Sequence, residues 1–280
     1  MINRISDRAM DDVDRTTIAD FGEQWTTYRD NSGYYGSVAL LADIFGPLLP
    51  VSAVAGARAG DIGSGTGRIV TMLLDAGAAH VVAVEPSAAF DVLMENLAGR
   101  SDQVTFVRGP GEAMTAAPPL DLVLSIGVLH HVVNPAPIVA AARAALRPGG
   151  QILVWLYGRE GNERYLSVVE PLRRVTKRLP HQVLAALCYV GDVMIRAWVG
   201  LARLSGGRLK PSDYIQNVYM WLAPDKRRLV IYDQLNPAYA RYYTRQEAVA
   251  LLEAAGFVSV VAHHRHGYSW TVMGERPAIS

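Results

Sequence analysis

The stretch RAGDIGSGTGR, residues 58–68, decides how the chain is read. Gly60, Asp61 and Ile62 close a short apolar segment with the composition of a buried strand, and Gly63, Gly65 and Gly67 follow at alternate positions. Glycine has no Cβ, so such a run permits a sharp turn and a close approach of backbone to a ligand. From Arg68 onward, Ile69, Val70, Met72, Leu73 and Leu74 recur with helical spacing. The start of that helix aims its free N–H groups back at the turn. Strand, glycine turn and helix in this order predict a nucleotide-type cradle.

The spacing separates one cradle from another. A dinucleotide fingerprint requires glycine at the first, third and sixth places, and the sixth place counted from Gly63 is Arg68. No Gly-Lys-Ser/Thr follows, which argues against a phosphate loop. With Asp61 ahead of it, the Gly-x-Gly-x-Gly run resembles motif I of the class I S-adenosylmethionine (SAM) methyltransferases.

Further segments stand at matching distances. Residues 80–85 form an apolar run ending in Glu85, about 20 residues past the turn, where an acidic side chain accepts hydrogen bonds from ribose hydroxyls. Pro86 follows, and Ser87 is placed to cap a helix over residues 88–97. After a third strand at 103–108 comes Gly109-Pro110-Gly111-Glu112-Ala113. Relatives often carry an adenine-binding Asp where this chain has Pro110, which leaves that contact to backbone amides or Glu112. Residues 120–131, LDLVLSIGVLHH, read as a fourth strand running into a turn, and Leu-Arg-Pro-Gly-Gly at 146–150 leads to a fifth strand at 151–156.

Over residues 57–157, and again at 243–277, the chain is similar to the methyltransferase family that includes quinone-biosynthesis and natural-product enzymes. The resemblance implies an α/β, Rossmann-like, seven-stranded, mostly parallel sheet with an antiparallel last strand. It also implies SAM as cofactor and S-adenosylhomocysteine as product. The cofactor-binding residues it implies are Asp61, Gly63, Ser64, Gly65, Thr66, Gly67, Glu85, Pro86, Gly111, Glu112, Ala113, Ser125 and Ile126.

At 280 residues and 50% hydrophobic content the chain has ample material for a core. A net charge of +1 argues against a dedicated nucleic-acid binder. The single cysteine, Cys188, fits a reducing compartment, so a cytoplasmic location is expected. Residues 1–20 read as a loose polar arm without a signal-peptide core.

The expected organisation is an arm and lid helix over residues 1–50, a SAM-binding domain over 51–157 and 243–280, and a mainly helical insertion, 158–242, capping the acceptor site after the fifth strand. In the insertion, Arg173, Arg174, Lys177 and Arg178 form a basic patch. Residues 183–204 form its most apolar stretch. Asp192, Arg196 and Arg203 interrupt it, so no uncharged run reaches the roughly 18 residues of a membrane span. On a helix those three charges share one narrow strip, and the apolar remainder predicts burial on most sides.

SAM carries its methyl group on a positively charged sulfur, so an enzyme has chiefly to hold an acceptor in line and remove its proton. His131 and His130 follow the fourth strand and are the candidates for that base, with a turn-capping role as the alternative. Trp25, Tyr28 and Tyr35, from an aromatic stretch at 21–36, are candidate acceptor contacts. Asp233, Asn236, Tyr239, Tyr242 and Tyr243, in YDQLNPAYARYY, could grip a hydroxylated or ring-shaped acceptor, and His264 and Tyr268 join them from the last hairpin. His264 and His266 fall on one face of a regular strand, but no carboxylate or cysteine cluster accompanies them, so no metal is expected.

The expected activity is SAM-dependent methylation of a small-molecule or lipid-like acceptor, at oxygen, with carbon and nitrogen as alternatives. Two readings compete: methylation of RNA or protein through the basic residues, and a non-enzymatic membrane-surface or interaction protein. A peripheral membrane contact and a homodimer are both compatible with the sequence.

Overall fold

The computed structural model describes residues 12–116, 118–176, 179–206, 208–236 and 239–278. Of the expected loose arm, residues 1–11 lie outside the described residues, as do Lys177 and Arg178 of the basic patch. The rest of the arm is not loose: α1 spans Asp12–Thr27. Ile18, Phe21 and Trp25 recur at helical spacing and all face one cavity, which gives this polar segment its apolar edge.

The elements that follow are α2 (Val38–Phe45), β1 (Arg58–Ile62), α3 (Arg68–Asp75), β2 (His80–Glu85), α4 (Ala89–Asn96), β3 (Val104–Arg108), β4 (Leu120–Ile126), α5 (Ala136–Ala145) and β5 (Leu146–Tyr157). The insertion supplies α6 (Glu163–Thr176), α7 (His181–Leu204), α8 (Asp213–Asn217) and α9 (Pro224–Leu235). Then come α10 (Arg245–Glu253), β6 (Val258–Arg265) and β7 (Ser269–Glu275). Thr244 and Glu247 form a reciprocal capping box at the start of α10.

The seven strands lie in the order β3-β2-β1-β4-β5-β7-β6. The first five are parallel, and β7 runs antiparallel to both neighbours. Successive side chains on a strand point to opposite faces, and both faces here are covered. Val81, Ala83, Leu122 and Leu124 pack with α2, α3 and α4. Val82, Val84, Val123 and Ile152 pack with α5 and α10.

The expected helix around residues 183–204 forms, but it is not buried on most sides. Only Leu184, Cys188, Asp192, Val199 and Ala202 of its described side chains are buried. That stripe packs on α9 through Leu184, Cys188, Tyr232 and Leu235. Asp192 sits within it rather than on a solvated strip: it accepts hydrogen bonds from Arg227 Nε at 2.7 Å and from the Tyr219 hydroxyl at 2.9 Å. Arg196 and Arg203 are exposed.

The last hairpin also differs from a regular alternation. His266 leaves the strand with φ 48° and its Nε2 lies 2.8 Å from Asp43, whereas His264 stacks flat on Trp270. The two rings therefore do not share a face.

Candidate functional site

The glycine turn joins β1 to α3 with φ values of 75° at Gly63, 53° at Gly65 and 87° at Gly67, a region that disfavours any residue with a Cβ. Space is a second constraint: a Cβ on Gly63 would stand 2.5 Å from Val128 Cγ2, and one on Gly67 2.9 Å from Leu93 Cδ1. Glu85, at the end of β2, reaches across to the turn. Its Oε2 accepts the Gly65 N–H at 2.8 Å and its Oε1 accepts the Ser87 N–H at 2.8 Å. Each oxygen keeps a further lone pair for a ligand hydroxyl.

Asp61 lies beneath the turn, 1% exposed, with Oδ2 lacking any partner in the protein. Burial pushes its carboxyl up to about 7. The N-terminal segment is pinned on the turn from above. Thr66 donates to Asn31 Oδ1 at 2.8 Å, and the Thr66 carbonyl accepts from Asn31 and Asn96 side-chain amides at 3.0 and 2.9 Å.

A cavity of about 870 Å³ runs from this turn to the insertion, within the size range of ligand sites. Gly63, Ser64, Gly65, Thr66, Glu85, Pro86, Gly111, Glu112 and Ile126 line one end. Trp25, Tyr35, His131, Asp233, Tyr242 and Tyr268 line the rest, together with apolar side chains of α6 and α7. Asp61, Gly67, Ala113 and Ser125 stand behind that lining.

Several candidate residues lie off the cavity. Tyr28 packs on Tyr232, His264 on Trp270, and Asn236 ends α9 with its N–H bonded to the Tyr232 carbonyl. Tyr239 contributes through its carbonyl, which lies 2.8 Å from His131 Nδ1. His130 is fully buried, its ring 3.8 Å from that of Tyr157, and it does not reach the cavity.

The histidine that does line the cavity has a defined tautomer. A carbonyl only accepts, so Nδ1 of His131 carries the hydrogen and Nε2 holds the free lone pair. Burial pushes His131 down to about 4, which keeps it neutral.

Asp233 of α9 is the other titratable group in this space. Gln24 of α1 donates to its Oδ1. It lines the cavity, and burial pushes its carboxyl up to about 7. Nearby, buried Arg173 donates to the Gln234 carbonyl at 2.7 Å and to the Tyr242 hydroxyl at 2.8 Å. Gln24, Ile18, Phe21, Tyr157 and Arg173 are site residues that sequence reasoning missed. Only the spacing of Ile18, Phe21 and Trp25 offered a signal. Among the described residues no group of three or more His, Cys, Asp or Glu side chains is arranged to hold a metal ion.

Comparison with known proteins bears on the same elements. Residues 60–154 match the methyltransferase domain family. Over 120 residues the chain is 32% identical to the tRNA U34 carboxymethyltransferase of Shewanella halifaxensis, which covers 42% of this chain and 36% of that protein. Over 133 residues it is 31% identical to the enzyme of the same name from Pseudoalteromonas translucida, covering 46% and 41%. The chain thus spans well under half the length of these curated relatives.

Among solved structures, an O-methyltransferase family protein from Burkholderia thailandensis superposes with a TM-score of 0.51 at 11% identity, over 87% of this chain and 56% of that one. The pyocyanin biosynthetic protein PhzM gives 0.50 at 16% identity, over 85% and 55%. These two likenesses concern the fold alone. Sheet order, glycine turn and strand-end carboxylate define the class I SAM-dependent methyltransferases, whose cofactor is SAM. Within that class, residues 60–154 are the part of the chain that matches the methyltransferase domain family.

Proposed function

We propose that this protein transfers the methyl group of SAM to oxygen on a small, amphiphilic acceptor inside the cavity beneath the insertion. The observation that carries the reading is the continuity of that cavity: the turn at Gly63–Thr66 with Glu85 bounds one end, and the aromatic and apolar side chains of the insertion bound the other. When bound, SAM supplies an electrophilic methyl group and a neutral thioether leaving group.

The chain's own residues supply the rest. Glu85 has lone pairs for ribose hydroxyls. Gly111, Glu112 and Ile126 form the neighbouring wall. Trp25, Tyr35, Tyr242 and Tyr268 enclose the acceptor and exclude water.

Two cavity-facing groups are able to take the acceptor proton, Asp233 and Nε2 of His131. Asp233, at about 7, is better matched to that task near neutral pH than His131, at about 4. Asp233 is therefore assigned as the base and His131 as a positioning group; buried His130 supports the wall through Tyr157. The test is methyl transfer from labelled SAM to a panel of hydroxylated apolar compounds, with loss on Asp233→Asn. Binding of SAM without transfer to any hydroxyl in the panel would overturn the oxygen assignment.

A second reading, an RNA acceptor, is favoured by the tRNA-modifying relatives. It predicts transfer to tRNA and steeply salt-dependent tRNA binding. The apolar lining of the cavity favours the first reading.

A further inference from the structure

The apolar surface of this protein is not spread evenly. Of nineteen exposed large hydrophobic residues among those described, fifteen lie in the insertion. On α7 the arc opposite its buried stripe carries Val183, Leu187, Val190, Met194, Leu201 and Leu204, with no charge among them. At 24 residues this helix is about 36 Å long. By length and composition Gln182–Leu204 would suffice to cross a membrane. Asp192, however, is tied to Arg227 and Tyr219 inside the fold, so the helix stays packed along α9 and presents its side, not its end.

The charge is equally uneven. Residues 158–242 carry fourteen Lys and Arg against seven Asp and Glu, whereas the remainder carries thirteen against nineteen. An apolar face on a basic segment is complementary to an anionic lipid surface. Exposed Trp198 and Trp221 add the amphipathic side chains favoured at such a boundary.

Most telling is where the cavity meets this face. Leu187, Val190 and Met194 of α7, and Leu172 and Tyr165 of α6, are exposed and line the cavity as well, so they form its mouth. We propose that the face of α6 and α7 rests on an anionic lipid surface and that the cavity takes a lipid-like acceptor from it through this mouth. This rests on the acceptor reading of the cavity given above. A protein partner on the same face would seal the mouth, whereas a fluid lipid layer covers the face and supplies the opening. RNA matches the charge, but it has no group to cover the uncharged arc.

The test is co-sedimentation of the full chain with vesicles of phosphatidylcholine alone and of phosphatidylcholine with one quarter phosphatidylglycerol. Binding to the anionic vesicles at least tenfold tighter than to the neutral ones is expected. The double variant Leu201→Glu and Leu204→Glu, at positions 60% and 85% exposed and away from the mouth, should lose that binding at least tenfold while SAM affinity by calorimetry is unchanged. No sedimentation with either vesicle, or undiminished binding by a folded double variant, overturns the proposal. So does total tRNA that displaces the vesicles and binds the double variant at least tenfold more weakly than the parent, which would assign the face to RNA. Loss of SAM binding in a parent protein that still sediments would instead overturn the methyltransferase reading and leave the surface assignment standing.

Discussion

Glu85 closes on Gly65 across two neighbouring strands, its Oε2 accepting the Gly65 N–H at 2.8 Å. The contact ties the carboxylate of β2 to the turn after β1, so the two halves of the cradle are set by the fold before any ligand arrives. It also orders one turn N–H that would otherwise need a ligand or water.

Gly63 combines φ 75° with a close approach to Val128. Gly63→Ala is expected to destabilise the fold by about 1–3 kcal/mol from the left-handed backbone alone. The crowding against Val128 adds to it. Urea denaturation of the two proteins measures the difference; equal midpoints would contradict the geometry.

The Asp192 cluster offers a test away from the cavity. Asp192 is 2% exposed and its Arg227 partner 9%. Arg227→Met leaves a buried carboxylate short of its main donor and should cost about 3–5 kcal/mol. Asp192→Asn with Arg227→Met should recover part of that loss. Chemical denaturation of both variants distinguishes a paired buried charge from a contact of no consequence.

Stability should fall as pH rises from about 6.5 to 8. Burial holds Asp61 and Asp233 at about 7, well above an unfolded carboxyl. Below the folded value the folded chain keeps protons that the unfolded chain has released, so this contribution is present at lower pH and lost on passing through about 7. His131, at about 4, and His130, also held down by burial, act in the opposite sense. Their contribution fades between about 6.5 and 7.5 as the unfolded imidazoles lose their protons, and it is smaller than that of the two carboxyls. Melting temperatures measured from pH 6.5 to 8 should therefore decline, and Asp233→Asn should flatten the decline.

Catalysis should carry the same signature. With Asp233 as base, the rate rises with pH through about 7. Asp233→Asn removes that limb and lowers kcat by about 100-fold or more while leaving SAM affinity intact. His131→Ala should keep the limb. A limb that survives Asp233→Asn would move the proton transfer to another group.

The sheet was legible because each strand is a short apolar run and because the glycine turn, Glu85 and the Leu-Arg-Pro-Gly-Gly turn fall at fixed intervals. The roof was not. Gln24 and Asp233 meet across 209 residues of sequence, a contact that no local pattern encodes. The helical character of α1 was hidden because its apolar edge is only one residue wide. For α7 the apolar composition predicts burial, yet composition alone does not distinguish a core from an exposed face. The charges misled for a related reason: Asp192 and Arg196 share a strip by angle, but only Asp192 has partners on α9 and in the segment before it.

Titration calorimetry of the purified chain with SAM is the most direct test of the central claim, that Gly63–Gly67 and Glu85 form a cofactor cradle. The structure predicts one site per chain, abolished by Gly63→Val and weakened at least tenfold by Glu85→Ala. No heat of binding with a folded parent protein, or an affinity indifferent to both substitutions, would contradict it.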